Sequence, residues 1–211
     1  MLIIDDRICF VHMHKCGGTS VCRAIIENVE PERLTFYGYT KEGEERSSES
    51  RKNDGVWKHS TALEIKERLG DDYWNKLEKR VFLSTRDPWE RVASFFFYAK
   101  RHFERDPSKY PFIEDMSFTD FVLEAKFPKE TILKFIQDNK GNRLVDELID
   151  FNHLEEQTIE LLSKYGIEIP KVEKLNANPH TIDYRQLYGS REKRFVTMFF
   201  QREINRLGFK F

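Results

Sequence analysis

The segment His12-Met13-His14-Lys15-Cys16-Gly17-Gly18-Thr19-Ser20 holds the parts of an anion cradle. A helix that starts after two glycines exposes unpaired backbone N–H groups and the positive end of its dipole. The glycines let that backbone approach a phosphate closely. Thr19 and Ser20 add hydroxyl donors, and Lys15 adds a full positive charge. The alternative is a plain strand–helix turn with an incidental lysine. The order differs from G-x-x-x-x-G-K-[ST], because the lysine here precedes the glycines.

A second group follows in Arg86-Asp87-Pro88-Trp89-Glu90-Arg91 and continues through Ser94 to Tyr98. Arg91, Ser94 and Tyr98 fall on one helical face, and a guanidinium beside a hydroxyl at a helix start suits a second phosphate. The competing explanation is an Arg capping a neighbouring helix and a Ser packed in a core.

The elements that must carry these groups are legible around them. Residues 7–13 and 81–85 are apolar and β-prone and read as buried strands. Val21, Ala24 and Ile25 mark the inner face of a helix after the first strand. Thr61-Ala62-Leu63-Glu64 is a capping box, with Gly70 as the stop. Asp87 caps and Pro88 opens a helix running to about His102. Residues 117–127 and 130–140 read as short helices, Val145 to Phe151 as a strand, and 155–165 as an amphipathic helix closed by Gly166. A last helix over 190–207 turns Val196, Phe199, Phe200 and Ile204 inward. Residues 38–55 are polar and of mixed charge and read as a solvated loop, with a mobile lid or acceptor-binding segment as the alternative. The expected fold is a single α/β domain over 1–211, three-layered and P-loop-like, with a central, mainly parallel sheet flanked by helices.

Composition narrows the function. The chain has 211 residues, 39% hydrophobic and 34% charged, which fits one soluble domain. Its net charge of -1 argues against general nucleic-acid binding. The longest apolar stretch, Val92 to Ala99, cannot span a bilayer. The opening Met1-Leu2-Ile3-Ile4-Asp5-Asp6-Arg7 does not resemble a signal peptide. Three cysteines without C-x-x-C spacing fit a reducing compartment, so a cytoplasmic location is expected.

K-x-G-G-T-S after a first strand and R-D-P-x-x-R-x-x-S-x-x-x-Y after a later one resemble the sulfotransferase family that uses 3′-phosphoadenosine 5′-phosphosulfate (PAPS), on its carbohydrate branch. The segments Lys58-His59-Ser60-Thr61-Ala62, Asp150 to Glu156 and Leu207 to Phe211 follow in family order, so the likeness runs from about residue 8 to the end. Two positions depart from the pattern. His14 stands where the family has Pro before the loop lysine, and Asn152 stands where many members carry a carboxylate.

The resemblance implies that Lys15, Cys16, Gly17, Gly18, Thr19 and Ser20 hold the 5′-phosphosulfate, and that Arg86 and Ser94 hold the 3′-phosphate. It implies metal-independent sulfuryl transfer to a hydroxyl acceptor, on a carbohydrate or glycolipid, with Lys15 and His59 catalytic. An imidazole titrating near neutrality suits His59 as general base. His12 is expected to be a hydrogen-bonded core residue. His14 either touches the sulfate or steadies the loop, and His102, His153 and His180 are structural or exposed. Cys16, at a helix start, reads as a loop-filling residue, with a redox role as the alternative. Arg191, Lys193 and Arg194 either reach the nucleotide or are solvated. The rival functions are a nucleotide-dependent small-molecule kinase and a non-catalytic adenine-nucleotide-binding protein.

Overall fold

The computed structural model describes residues 1–53, 55–175 and 183–211. Along the chain come β1 (Leu2–Ile4), β2 (Ile8–His12), α1 (Gly18–Asn28), β3 (Leu34–Phe36) and α2 (Lys41–Lys52). Next are α3 (Ala62–Leu69), α4 (Asp71–Lys76), β4 (Lys79–Thr85), α5 (Pro88–Arg105), α6 (Phe118–Leu123) and α7 (Ile132–Ile136). The chain closes with β5 (Glu147–Asp150), α8 (Leu154–Ser163), α9 (Ser190–Phe199) and α10 (Gln201–Leu207). Contacts divide it into two compact units, Met1–Thr85 with Ile132–Leu175, and Arg86–Thr131 with Asn176–Phe211.

The first unit is an α/β structure around a five-stranded sheet of order β3-β1-β2-β4-β5. β2–β4 and β4–β5 are parallel, whereas β1 pairs antiparallel with both β2 and β3. The sheet is therefore mixed, which corrects the expectation of a mainly parallel one. The reason lies at the start of the chain. Leu2-Ile3-Ile4 is a short fully buried strand, and Asp5 and Asp6 both take positive φ, which folds β1 back on β2 in a tight hairpin. Every residue of β2 is buried, as a strand covered on both faces must be. Val21, Cys22, Ala24 and Ile25 of α1 pack with Phe10, Val81, Leu83 and Ile149 of the sheet and with Leu161 and Leu162 of α8.

Residues 41–52, expected to be loop, are a helix. Thr40 caps it by accepting from the Gly43 N–H, Glu42 and Glu44 occupy its first turn, and Arg51 and Lys52 its last. Its buried positions are only Gly43 and Ser47, so it shows no apolar periodicity. The Thr61–Glu64 capping box at the start of α3 has both of its hydrogen bonds.

The second unit is helical and aromatic. Trp89, Val92 and Phe96 of α5 pack with Phe121, Phe127, Val196 and Phe200. Asp87 caps α5 by accepting from the Glu90 N–H, with Pro88 in the first turn. Arg91 is 5% exposed and its guanidinium pairs with the fully buried Glu203 at 2.8 Å. The expected single C-terminal helix is two, separated at Phe200. Phe199, expected inside, is 40% exposed. Among the described residues, no helix is long and apolar enough to cross a membrane.

Candidate functional site

Where β2 ends, the chain makes a loop of unusual backbone before α1 begins. Lys15 has φ 63° and Gly17 has φ 73°, both left-handed. Alternation of this kind turns successive N–H groups toward one concavity that suits an anion. Gly17 is the N-cap of α1, no side chain caps the helix, and its first turn holds no acidic residue. The Ser20 N–H donates to the Gly17 carbonyl, and no side chain offsets the positive end of the dipole or caps the donors that precede it.

Both glycines are required sterically. A Cβ on Gly17 would lie 2.6 Å from Leu154 Cδ2 in a backbone conformation that L-residues avoid, and one on Gly18 would overlap the His12 ring. The loop is buttressed from below. The Ser84 hydroxyl donates to the Cys16 carbonyl at 2.8 Å, and the Cys16 thiol donates to the His14 carbonyl at 3.4 Å. Cys16 is fully buried, as a loop-filling residue would be. Ser20 is buried and its Oγ accepts from the Leu175 N–H at 3.0 Å, so one lone pair of this hydroxyl is engaged by the chain itself. Thr19 is exposed and Lys15 half-buried.

His59 comes to the same place from a distant part of the sequence. Its ring centroid lies 3.6 Å from that of His14 and 4.8 Å from that of His12. The turn that carries it is fixed by the Trp57 N–H donating to Ser60 Oγ and the Lys58 N–H donating to Ser47 Oγ. Trp57 stands edge-on to His59, with centroids 5.2 Å apart, and the Arg51 guanidinium covers the indole at 4.1 Å. The structure therefore brings His59 and the 12–20 loop together.

The protonation state of His59 is not the one expected. It is 8% exposed, and burial, with His14 adding to it, depresses its pKa to about 2. The ring is neutral at neutral pH instead of titrating there. Nδ1 lies 3.2 Å from the His12 carbonyl oxygen, which can only accept. The proton therefore sits on Nδ1 and the lone pair on Nε2. His12 is a buried, hydrogen-bonded residue, its Nδ1 2.6 Å from the Tyr39 hydroxyl. Burial, and secondarily His59, hold its pKa well below the ordinary value. Tyr39 and Trp57 carry no local signal as site residues, since Tyr39 arrives from the polar segment that gave no pattern and Trp57 from just beyond it.

The other expected site residues, Arg86 and Ser94, belong to the second unit. Arg86 pairs with Glu90 at 2.9 Å, one helical turn along, and Ser94 is half-buried. Arg91, on the same expected face, is committed to Glu203. The rings of Tyr98 and His102 are 4.1 Å apart. His153 is exposed beside Glu156, Arg191, Lys193 and Arg194 are exposed on α9, and His180 lies outside the described residues. Among the described residues, no three His, Cys, Asp or Glu side chains form a group able to hold a metal ion.

Comparison with protein-family models, curated proteins and solved structures finds no match to this chain. An uncapped helix start, a left-handed lysine and a neutral imidazole with its lone pair on Nε2 can bind an anionic group and accept a proton beside it.

Proposed function

We propose that the protein is a sulfotransferase that moves the sulfuryl group of PAPS to a hydroxyl acceptor of carbohydrate type. The observation that carries this reading is the convergence of the uncapped Gly17–Gly18 helix start with the His59 ring, through His14 at 3.6 Å. In the proposed step the acceptor oxygen attacks sulfur as the bond from sulfur to the bridging phosphate oxygen breaks. The acceptor proton passes to Nε2 of His59, and 3′,5′-phosphoadenosine leaves with the bond's electron pair. Lys15 and the first-turn N–H groups stabilise the charge growing on that phosphate. In-line transfer of this kind needs positioning and electrostatic stabilisation more than covalent help.

The depressed pKa of His59 is compatible with the role of base. Negative charge brought in by the donor favours the imidazolium, so the ring becomes more basic in the loaded site than in the empty one. Arg86 and Ser94 enter this reading as the holders of the 3′-phosphate. That assignment rests on the resemblance of Arg86-Asp87-Pro88 and its following helix to the family pattern.

Two measurements test the proposal. Thermal melting with 3′,5′-phosphoadenosine, ATP, ADP or AMP should give the largest stabilisation with the bisphosphate, rising with its concentration as mass action requires. Incubation with sulfur-labelled PAPS and hydroxylated glycans should then move label to the acceptor. Lys15→Ala should lower that transfer about 100-fold or more while the unliganded melting temperature stays within a few degrees. Greater stabilisation by ATP would redirect the reading to a kinase. Nucleotide binding without label transfer across an acceptor panel would leave a binding protein.

A further inference from the structure

The exposed face of α9 and α10 has no part in the proposed chemistry, and its composition is one-sided. Residues 190–211 contain Arg191, Lys193, Arg194, Arg202, Arg206 and Lys210, all exposed. The two acidic residues of the same stretch point inward. Glu192 is 6% exposed and accepts from the Thr119 hydroxyl, and Glu203 is fully buried against Arg91. In a chain of net charge -1, the exposed charged side chains of this stretch are therefore all basic. Among the described residues, Arg191, Arg194, Arg202 and Arg206 enter no salt bridge.

At the centre of that charge sit Met198, 65% exposed, and Phe199, 40% exposed. Helical hydrogen bonds from the Phe200 N–H to Val196 and from the Ile204 N–H to Phe200 carry the helical course across the junction. Spacings of three and four then align Arg191, Arg194, Met198, Arg202 and Asn205 in one stripe, with Phe199 and Arg206 beside it. An apolar crest with guanidinium groups before and after it is the pattern of a helix that lies on a charged membrane surface.

We infer that α9–α10 is a peripheral docking surface for an anionic lipid bilayer. Met198 and Phe199 would enter the headgroup boundary while the flanking arginines pair with lipid phosphates. Charge decides among occupants. A second copy of this face would oppose arginines to arginines. A single-stranded nucleic acid would use aromatic faces for stacking. Met198 has no such face, and the Phe199 ring is held edge-on to Phe127, with centroids 5.4 Å apart, and against Phe200. The inference is independent of the sulfotransferase reading, since it uses none of the loop or histidine residues.

The test is co-sedimentation of the full chain with vesicles of phosphatidylcholine alone or mixed with phosphatidylglycerol. The protein should partition onto the mixed vesicles only, and less as salt is raised. Arg202→Gln with Arg206→Gln should weaken partitioning roughly 30-fold. Met198→Ser with Phe199→Ser should weaken it about tenfold or more. If that pair perturbs the melt, Met198→Ser alone, at the more exposed position, serves in its place. Absence of binding to the mixed vesicles overturns the inference, as does binding indifferent to the Met198 and Phe199 changes. Retention by heparin or duplex DNA without vesicle binding would overturn it in favour of a soluble polyanion.

Discussion

Gly18 and His12 set the geometry of the loop between them. The strand turns so tightly into α1 that the His12 ring occupies the volume a side chain at position 18 would need, while the Tyr39 hydroxyl holds that ring from the other side. Neither group can shift without exposing a buried imidazole. Gly18→Ala should therefore destabilise the protein by about 1–3 kcal/mol through overpacking, measured as a lower urea midpoint with an unchanged slope. Gly141→Ala provides the contrast, because nothing lies within 4 Å of a Cβ there and only its positive φ opposes the change. A Gly18→Ala midpoint unchanged from the wild type would mean that the His12 contact does not make Gly18 necessary, since no positive φ opposes a side chain there. The loop residues were legible because an anion cradle is a local pattern of glycine, lysine and hydroxyls. The state of His59 was not, because burial and the nearness of His14 are tertiary facts that reverse what its ordinary pKa suggests.

Elements were readable in proportion to the local signals that end them. Thr61 and Glu64 announce α3, and Asp87 with Pro88 announces α5, since capping chemistry is satisfied within four residues. The helix α2 failed the same reading although its ends carry the signals of Thr40, two first-turn glutamates and two last-turn basic residues. Its sequence between them has no apolar residue, and a helix with no apolar stripe cannot be found by periodicity. β1 and β3 are three residues each, too short to alternate, and become strands only through the ladder in which β1 pairs with both β2 and β3. The cap of α3 also matters to the site, because Thr61 follows the His59 turn by two residues. Thr61→Ala should cost about 1 kcal/mol of stability, and Thr61→Ser should restore most of it. A melting temperature unchanged in Thr61→Ala would show that the box observed at this helix start contributes nothing to it.

At the scale of the whole molecule, the buried histidines give the protein a pH dependence that its composition hides. His12 and His59 both lie in the unit built on the sheet, and both are held neutral there, principally by burial. In the unfolded chain each returns to an ordinary pKa near 6.5. Below that pH the unfolded state binds protons that the folded state refuses, so stability falls as pH falls. The loss approaches about 1.4 kcal/mol per pH unit for each histidine, and continues until the folded ring itself titrates, which for His59 is at about 2. Above pH 7 neither state is protonated and the effect vanishes. Urea unfolding should therefore show His59 costing about 2 kcal/mol between pH 7 and 5, with His12 adding to the loss in the same direction. His59→Gln, which keeps a donor for the His12 carbonyl but cannot titrate, should reduce that loss by about 2 kcal/mol. Among the described residues the second unit holds no buried histidine, since His102 is only half-buried. Amide protection should accordingly fail in β2, β4 and α1 at a higher pH than in α5 and α9. An acid profile identical in the wild type and His59→Gln would mean that the folded ring titrates at its unfolded pKa near 6.5, and the depressed pKa assigned to the buried His59 would be wrong.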